Sequence, residues 1–104
     1  MQITREETDA RHGRYVARIE GSPGEAVLIY TRQGPDVVSA DHTIVPESMG
    51  GKGVGKALLA ALLADAERDG LMIVPVCSFV QAQYARHPEW ARHFTSAPGE
   101  TPAL

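Results

Sequence analysis

Cysteine is nearly absent from this chain. Cys77 stands alone, which excludes an internal disulfide and fits the reducing cytoplasm expected for it. Histidine is sparse and scattered: His12, His42, His87 and His93 show no zinc-pair spacing, and with no second cysteine no structural metal is expected. Long apolar runs are missing too. The longest, Ala57–Ala64, falls far short of the roughly 20 residues of a membrane span, and Met1–Glu7 is too polar for a signal peptide, so no membrane partner is expected. Basic charge is not in excess: ten Lys and Arg against thirteen Asp and Glu give a net charge of −3. That balance argues against nucleic acid as a partner, a local basic rim aside. What is left, 104 residues with 43% apolar and 22% charged side chains, describes one globular domain with a modest core.

Hydrophobic patterning divides the chain into strands and then helices. Residues 1–12 are polar and read as a flexible lead-in or an edge. Tyr15, Ala17 and Ile19 alternate with Arg14, Val16 and Arg18, as on a half-exposed strand. After the turn Gly21-Ser22-Pro23-Gly24, the apolar run Ala26–Thr31 reads as a second strand. Gln33-Gly34-Pro35-Asp36 is a further turn, and Val37–Val45 a third strand, the three forming an antiparallel meander. A helix is expected over 53–69, with Val54, Ala57, Leu58, Ala61 and Leu62 on its apolar face and Gly70 as its C′ residue. Leu71–Val76 reads as a buried strand parallel to the third. Ser78 and Gln81 fit a capping box for a short helix over 79–86, ended by Pro88. Trp90 and Phe94 are expected to dock on the core edge, and 95–104 to form a loose tail.

The most informative stretch is Met49-Gly50-Gly51-Lys52-Gly53-Val54-Gly55-Lys56-Ala57-Leu58-Leu59, which links the third strand to the long helix. Four of its eleven residues are glycine, which lets backbone amides approach a ligand closely. A helix start offers unpaired N–H groups and the positive end of the helix dipole. Lys52 and Lys56 sit at that positive end while Asp65, Glu67 and Asp69 sit at the negative end, the reverse of what the dipole favours. Glycines and lysines together point to an anionic ligand, a phosphate or diphosphate; surface lysines on long solvated stems are the plain alternative. The stretch is not a P-loop, because Ala57 replaces the magnesium-binding Ser or Thr, and not a dinucleotide fingerprint, because Lys56 stands where the third glycine belongs.

With the motifs His42-Thr43-Ile44-Val45-Pro46, Gly51-Lys52-Gly53-Val54-Gly55-Lys56-Ala57-Leu58, Val74-Pro75-Val76-Cys77-Ser78-Phe79 and Tyr84-x-x-His87-Pro88-Glu89-Trp90 in this order, residues 13–94 resemble the GNAT superfamily of N-acetyltransferases, closest to its small YjdJ-like members. The resemblance implies an α/β (α+β type) minimal GNAT-like fold: a mixed, mostly antiparallel sheet with a long helix after the third strand and a short C-terminal helix. It implies acetyl-coenzyme A as cofactor and an amine acceptor, a small molecule or a protein lysine, for a monomer or weak homodimer. Carried over, Ile44 and Val45 line the pantetheine arm, and Gly50, Gly51, Lys52, Gly53, Val54, Gly55 and Lys56 cradle the phosphates. Cys77 is the candidate nucleophile, since a helix N-terminus favours a thiolate; an inert buried thiol is the alternative. Tyr84 is the candidate acid for the leaving thiolate, or a core aromatic; His42 is the candidate base, or a structural histidine. Three departures stand out: Gly50 replaces a usual Arg or Gln, Ile44 a frequent Glu, and Ser78 a frequent Pro. The missing Glu favours one rival, a non-catalytic acyl-coenzyme A-binding module; a small ATP-binding protein is another.

Overall fold

A computed structural model describes residues 1–102. Five strands, β1 (Gln2–Glu7), β2 (His12–Arg18), β3 (Ala26–Gly34), β4 (Val37–Ile44) and β5 (Met72–Pro75), form one sheet in sequence order. The first three pairings are antiparallel, and β4 pairs β5 in parallel. The crossover between them is the 16-residue helix α1 (Val54–Asp69), entered through a 3-10 turn at Glu47–Met49. Helix α2 (Ser78–Arg86) and a 3-10 segment, Pro88–His93, follow β5. This is the mixed, mostly antiparallel α+β architecture expected from the sequence.

Period-2 alternation places one residue set of each strand under the helices. Tyr15 and Ala17 of β2, Ala26, Leu28 and Tyr30 of β3, and Val38 and Ala40 of β4 share a core with Leu58, Leu59 and Leu62 of α1. Val80 and Tyr84 of α2 join it, with Phe94. Gly70 ends α1 in the left-handed region at φ 68°, where glycine carries no β-carbon penalty.

Four expectations need correction. Residues 2–7 are not a flexible lead-in: Ile3 pairs with Ala17 and Arg5 with Tyr15, making β1 the edge strand. A buried polar tie holds β1 to α1. Asp65 Oδ2 accepts from Tyr15 Oη at 2.6 Å and from Arg5 Nη1 at 3.2 Å, and Arg5 Nε donates to Tyr30 Oη at 2.9 Å. Strand β3 runs on past Thr31 to Gly34, so only Pro35 and Asp36 make the turn. The capping box of α2 does not form. Cys77 is the N-cap, and Gln81 Nε2 instead donates to the carbonyls of Pro75 at 2.9 Å and Val76 at 3.2 Å. At the same turn the Val76 N–H folds back onto Val74 O. The expected tail at 95–104 is pinned at its start: Thr95 N–H donates to Ile73 O, and Tyr84 Oη to Ser96 O at 2.7 Å. Its last two residues lie outside the described residues.

A glycine-lined cleft at the start of α1

The site begins with a bulge. Tyr30 pairs with Ala40 but Ile29 pairs with His42, so Asp41 is an extra residue in β4. Thr31 Oγ1 and Ser39 Oγ hold its carboxylate, at 2.6 and 2.7 Å. Beyond the bulge β4 parts from β5. Their last tie is Cys77 N–H to Ala40 O at 2.8 Å, after which the chain turns into α2 while β4 continues to Ile44. Ala40 O points toward β5; the extra residue Asp41 shifts the alternation by one, so the peptide groups of Thr43 and Val45 turn the same way, into the gap. At its inner end the Cys77 thiol donates to Thr43 Oγ1 at 3.4 Å. Cys77 is buried.

The start of α1 faces the outer end of this gap. Gly51 and Gly53 have φ of 75° and 70°, and Gly53 is the N-cap. The first intrahelical bond is Ala57 N–H to Gly53 O, so the N–H groups of Val54, Gly55 and Lys56 have no partner within the helix. Among the described residues no side chain caps them, and the first turn holds no acid. These donors open onto a groove of about 370 Å³. Its loop side is Gly50, Gly51, Gly53, Val54, Gly55 and Lys56; Val45, Pro46 and Phe79 form other parts of its wall. Gly55 is there for packing: a Cβ added to it would lie 2.9 Å from Phe79 Cζ. The exposed large apolar side chains among the described residues are Met1, Ile44 and Val45; Val45 lines the groove, and Ile44, the last residue of β4, does not.

Electrostatics follow the same direction. The carboxylates at the far end of α1 are paired: Asp65 with Arg5 and Arg68, Glu67 with Arg92 and His93, Asp69 with Arg68. Asp65 and Glu67 thus meet cations from other elements, while Asp69 pairs only with Arg68 of the same helix end. Lys52 and Lys56 form no ion pair among the described residues, and their charges add to the positive helix start.

Of the expected site residues, Val45 and six of the seven loop residues meet in one groove, with Lys52 exposed at its rim. Cys77 lies at the inner end of the gap. His42 pairs with Ile29 and is exposed on the sheet face away from the helices, opposite to Thr43 and Cys77. Tyr84 is not brought to the cleft. It is buried, stacks on Phe94 at 4.0 Å, and spends its hydroxyl proton on Ser96 O; desolvation holds its pKa above the usual tyrosine range. Sequence reasoning missed Thr43 and Phe79. The Gly55–Phe79 juxtaposition, a small residue facing a large one, has no signature within either segment.

Residues 14–93 match the family model described as GCN5-related N-acetyl-transferase. Protein NATD1 of Homo sapiens is 31% identical over 84 residues, which cover 81% of this chain and 74% of that protein. Protein NATD1 of Bos taurus matches at the same identity and coverage, and that of Gallus gallus at 29% over 82 residues, 79% of this chain and 74% of that protein.

Proposed function

The chain belongs to the GCN5-related N-acetyltransferase family, and from that premise we propose that it binds acetyl-coenzyme A in the cleft and moves the acetyl group to an amine. The observation that carries this reading is the uncapped helix start, free of acids, that faces the gap between β4 and β5. The fit is good on three counts. Orphan N–H donors suit a diphosphate, the peptide groups of Thr43 and Val45 suit the pantetheine amides, and exposed Ile44 and Val45 suit its methylene chain.

Bound there, acetyl-coenzyme A would supply the acetyl group as an activated thioester. The chain's own residues do the rest. The amides of Val54, Gly55 and Lys56 hold the diphosphate, with ammonium charge from Lys52 and Lys56. A peptide N–H near Val45 stabilises negative charge developing on the reacting carbonyl oxygen, the largest single contribution expected in acyl transfer. His42, or a water, takes the proton of an amine arriving from the open sheet face. Transfer through Cys77 requires a base beside the thiol. Its side-chain neighbour is the Thr43 hydroxyl and His42 is on the other face, so direct attack by the amine is the favoured route. The open face suits a small amine or an exposed protein lysine.

The test is thiol release from acetyl-coenzyme A in the presence of polyamines, lysine peptides and aminoglycosides, with mass spectrometry of the acceptors. Amine-dependent release of one coenzyme A per acetylated amine is expected. Binding with no transfer to any acceptor would identify a non-catalytic acyl-coenzyme A-binding module, and no binding would overturn the reading.

A further inference from the structure

One buried polar side chain has no use in the cleft. Gln83 of α2 is 8% exposed, and among the described residues its amide has no hydrogen-bond partner. The amide atoms themselves are not sealed from solvent, so they stand as an open donor and acceptor that a ligand in the slot can engage. Gln83 lines a slot of about 150 Å³ between α1 and α2. Leu59, Ala60 and Leu63 form the α1 wall. Across from them, His87 and Trp90 stack on each other at 4.3 Å and complete the lining. The volume is below the roughly 300 Å³ of a drug-sized site, so the slot takes a fragment.

Lys56 lines both this slot and the glycine groove. The two therefore adjoin across the Lys56 side chain, at the first turn of α1. From Gly55 to Ala60 the helix rises about 7.5 Å, a span that one ribose bridges between a diphosphate and its base. A mainly apolar slot with one amide and an aromatic wall offers an adenine its two needs: stacking surface, and a donor–acceptor pair matching the bidentate Gln–adenine pattern.

Resting on the acetyl-coenzyme A reading above, we propose that this slot receives the adenine ring of the bound nucleotide, with Gln83 pairing to its edge and Lys56 placed at the ribose and its phosphate. The chain would then read its cofactor at two separate points, diphosphate and base.

Trp90 is the one tryptophan of the chain, so its fluorescence reports the slot directly. Coenzyme A, its etheno-adenine analogue and 4′-phosphopantetheine are titrated by calorimetry and by Trp90 fluorescence, against wild type and Gln83→Leu. The substitution is apolar and close in size, so the fold is expected to survive; circular dichroism and a urea melt confirm this before binding is compared. Expected are Trp90 quenching by coenzyme A but not by phosphopantetheine, and a loss of affinity on the order of tenfold for etheno-coenzyme A on wild type. Gln83→Leu should lose a similar factor toward coenzyme A and nothing toward phosphopantetheine. Coenzyme A that binds with unchanged Trp90 emission and equal affinity in both proteins would overturn the adenine assignment and leave the diphosphate site intact. Failure of coenzyme A to bind wild type at all would instead overturn the underlying reading. A concentration-dependent dimer that buries Trp90 and excludes coenzyme A would assign the slot to a second copy and also refute the proposal.

Discussion

Replacing Gly51 with alanine puts a number on what the loop conformation is for. Gly51 has φ 75°, and a Cβ built there meets no atom within 4 Å. No steric clash enters, so the whole cost is that of holding an L-residue in the left-handed region, about 1–2 kcal/mol. The loop has two ways to respond. It can keep its shape, and the protein loses that amount of stability while affinity for coenzyme A is unchanged. Alternatively, the loop relaxes to negative φ, stability is largely kept, and the ligand must restore the strained form, weakening binding by about fivefold to thirtyfold. The two losses are linked: expressed as free energies, they sum to about 1–2 kcal/mol wherever the loop settles. Gly51→Asn is the control, because asparagine visits this region routinely, and it should recover most of the loss. Urea melts and calorimetric titration with coenzyme A on the three proteins supply both quantities. A summed loss near zero for Gly51→Ala, or equal losses for alanine and asparagine, would refute the argument that the positive φ serves the ligand.

Cys77→Ala should keep turnover within about tenfold of wild type, since among the described residues the thiol's hydrogen-bond partner is a hydroxyl and not a base; an acetyl-enzyme trapped at Cys77 by mass spectrometry, lost with activity in the variant, would establish the covalent route instead. Tyr84→Phe removes one hydrogen bond to Ser96 O and should cost about 0.5–1.5 kcal/mol in a urea melt with kcat nearly unchanged; a hundredfold fall in kcat would return Tyr84 to the chemistry. Asp65→Ala strands the Tyr15 hydroxyl and the Arg5 guanidinium and should destabilise by about 2–4 kcal/mol, a loss that shrinks in a Tyr15→Phe background; a melt within about 0.5 kcal/mol of wild type would contradict the tie between β1 and α1. Desolvation raises the pKa of Tyr15, Tyr30 and Tyr84 in the fold. The unfolded chain therefore gives up these protons first, near pH ~10. This stability is present below that pH and falls as pH rises above it, by about 1.4 kcal/mol per unit for each tyrosine; a urea midpoint that stays level from pH 9 to 11 would contradict it.

Much of the fold was legible because its signals are local. The meander from β2 to β4 shows in alternation and turn residues, α1 in its apolar face and in Gly70, and β5 in an unbroken apolar run. The glycine loop was legible for the same reason, since its backbone geometry is set by the residues that occupy it. What stayed hidden depends on partners distant in the chain. Strand β1 looks like solvated chain because Arg5 faces the helix side, a placement that makes sense only with Asp65 sixty residues later. Ser78 and Gln81 spell a capping box, yet Gln81 donates instead to the carbonyls of Pro75 and Val76 in the turn before the helix. Tyr84 sits where an acid belongs, but nothing local fixes which way its hydroxyl is engaged. The acids ending α1 looked misplaced because Arg5 and Arg92, which pair with Asp65 and Glu67, come from other elements.

The central claim is that the bare amides opening α1 grip the diphosphate of coenzyme A. Amide 1H–15N spectra of labelled protein, titrated with coenzyme A and separately with pantetheine, test it at the atoms concerned. Coenzyme A should shift the proton resonances of Val54, Gly55 and Lys56 downfield, as new hydrogen bonds form, while pantetheine leaves these three in place. Saturation with coenzyme A that leaves them unmoved would contradict the account.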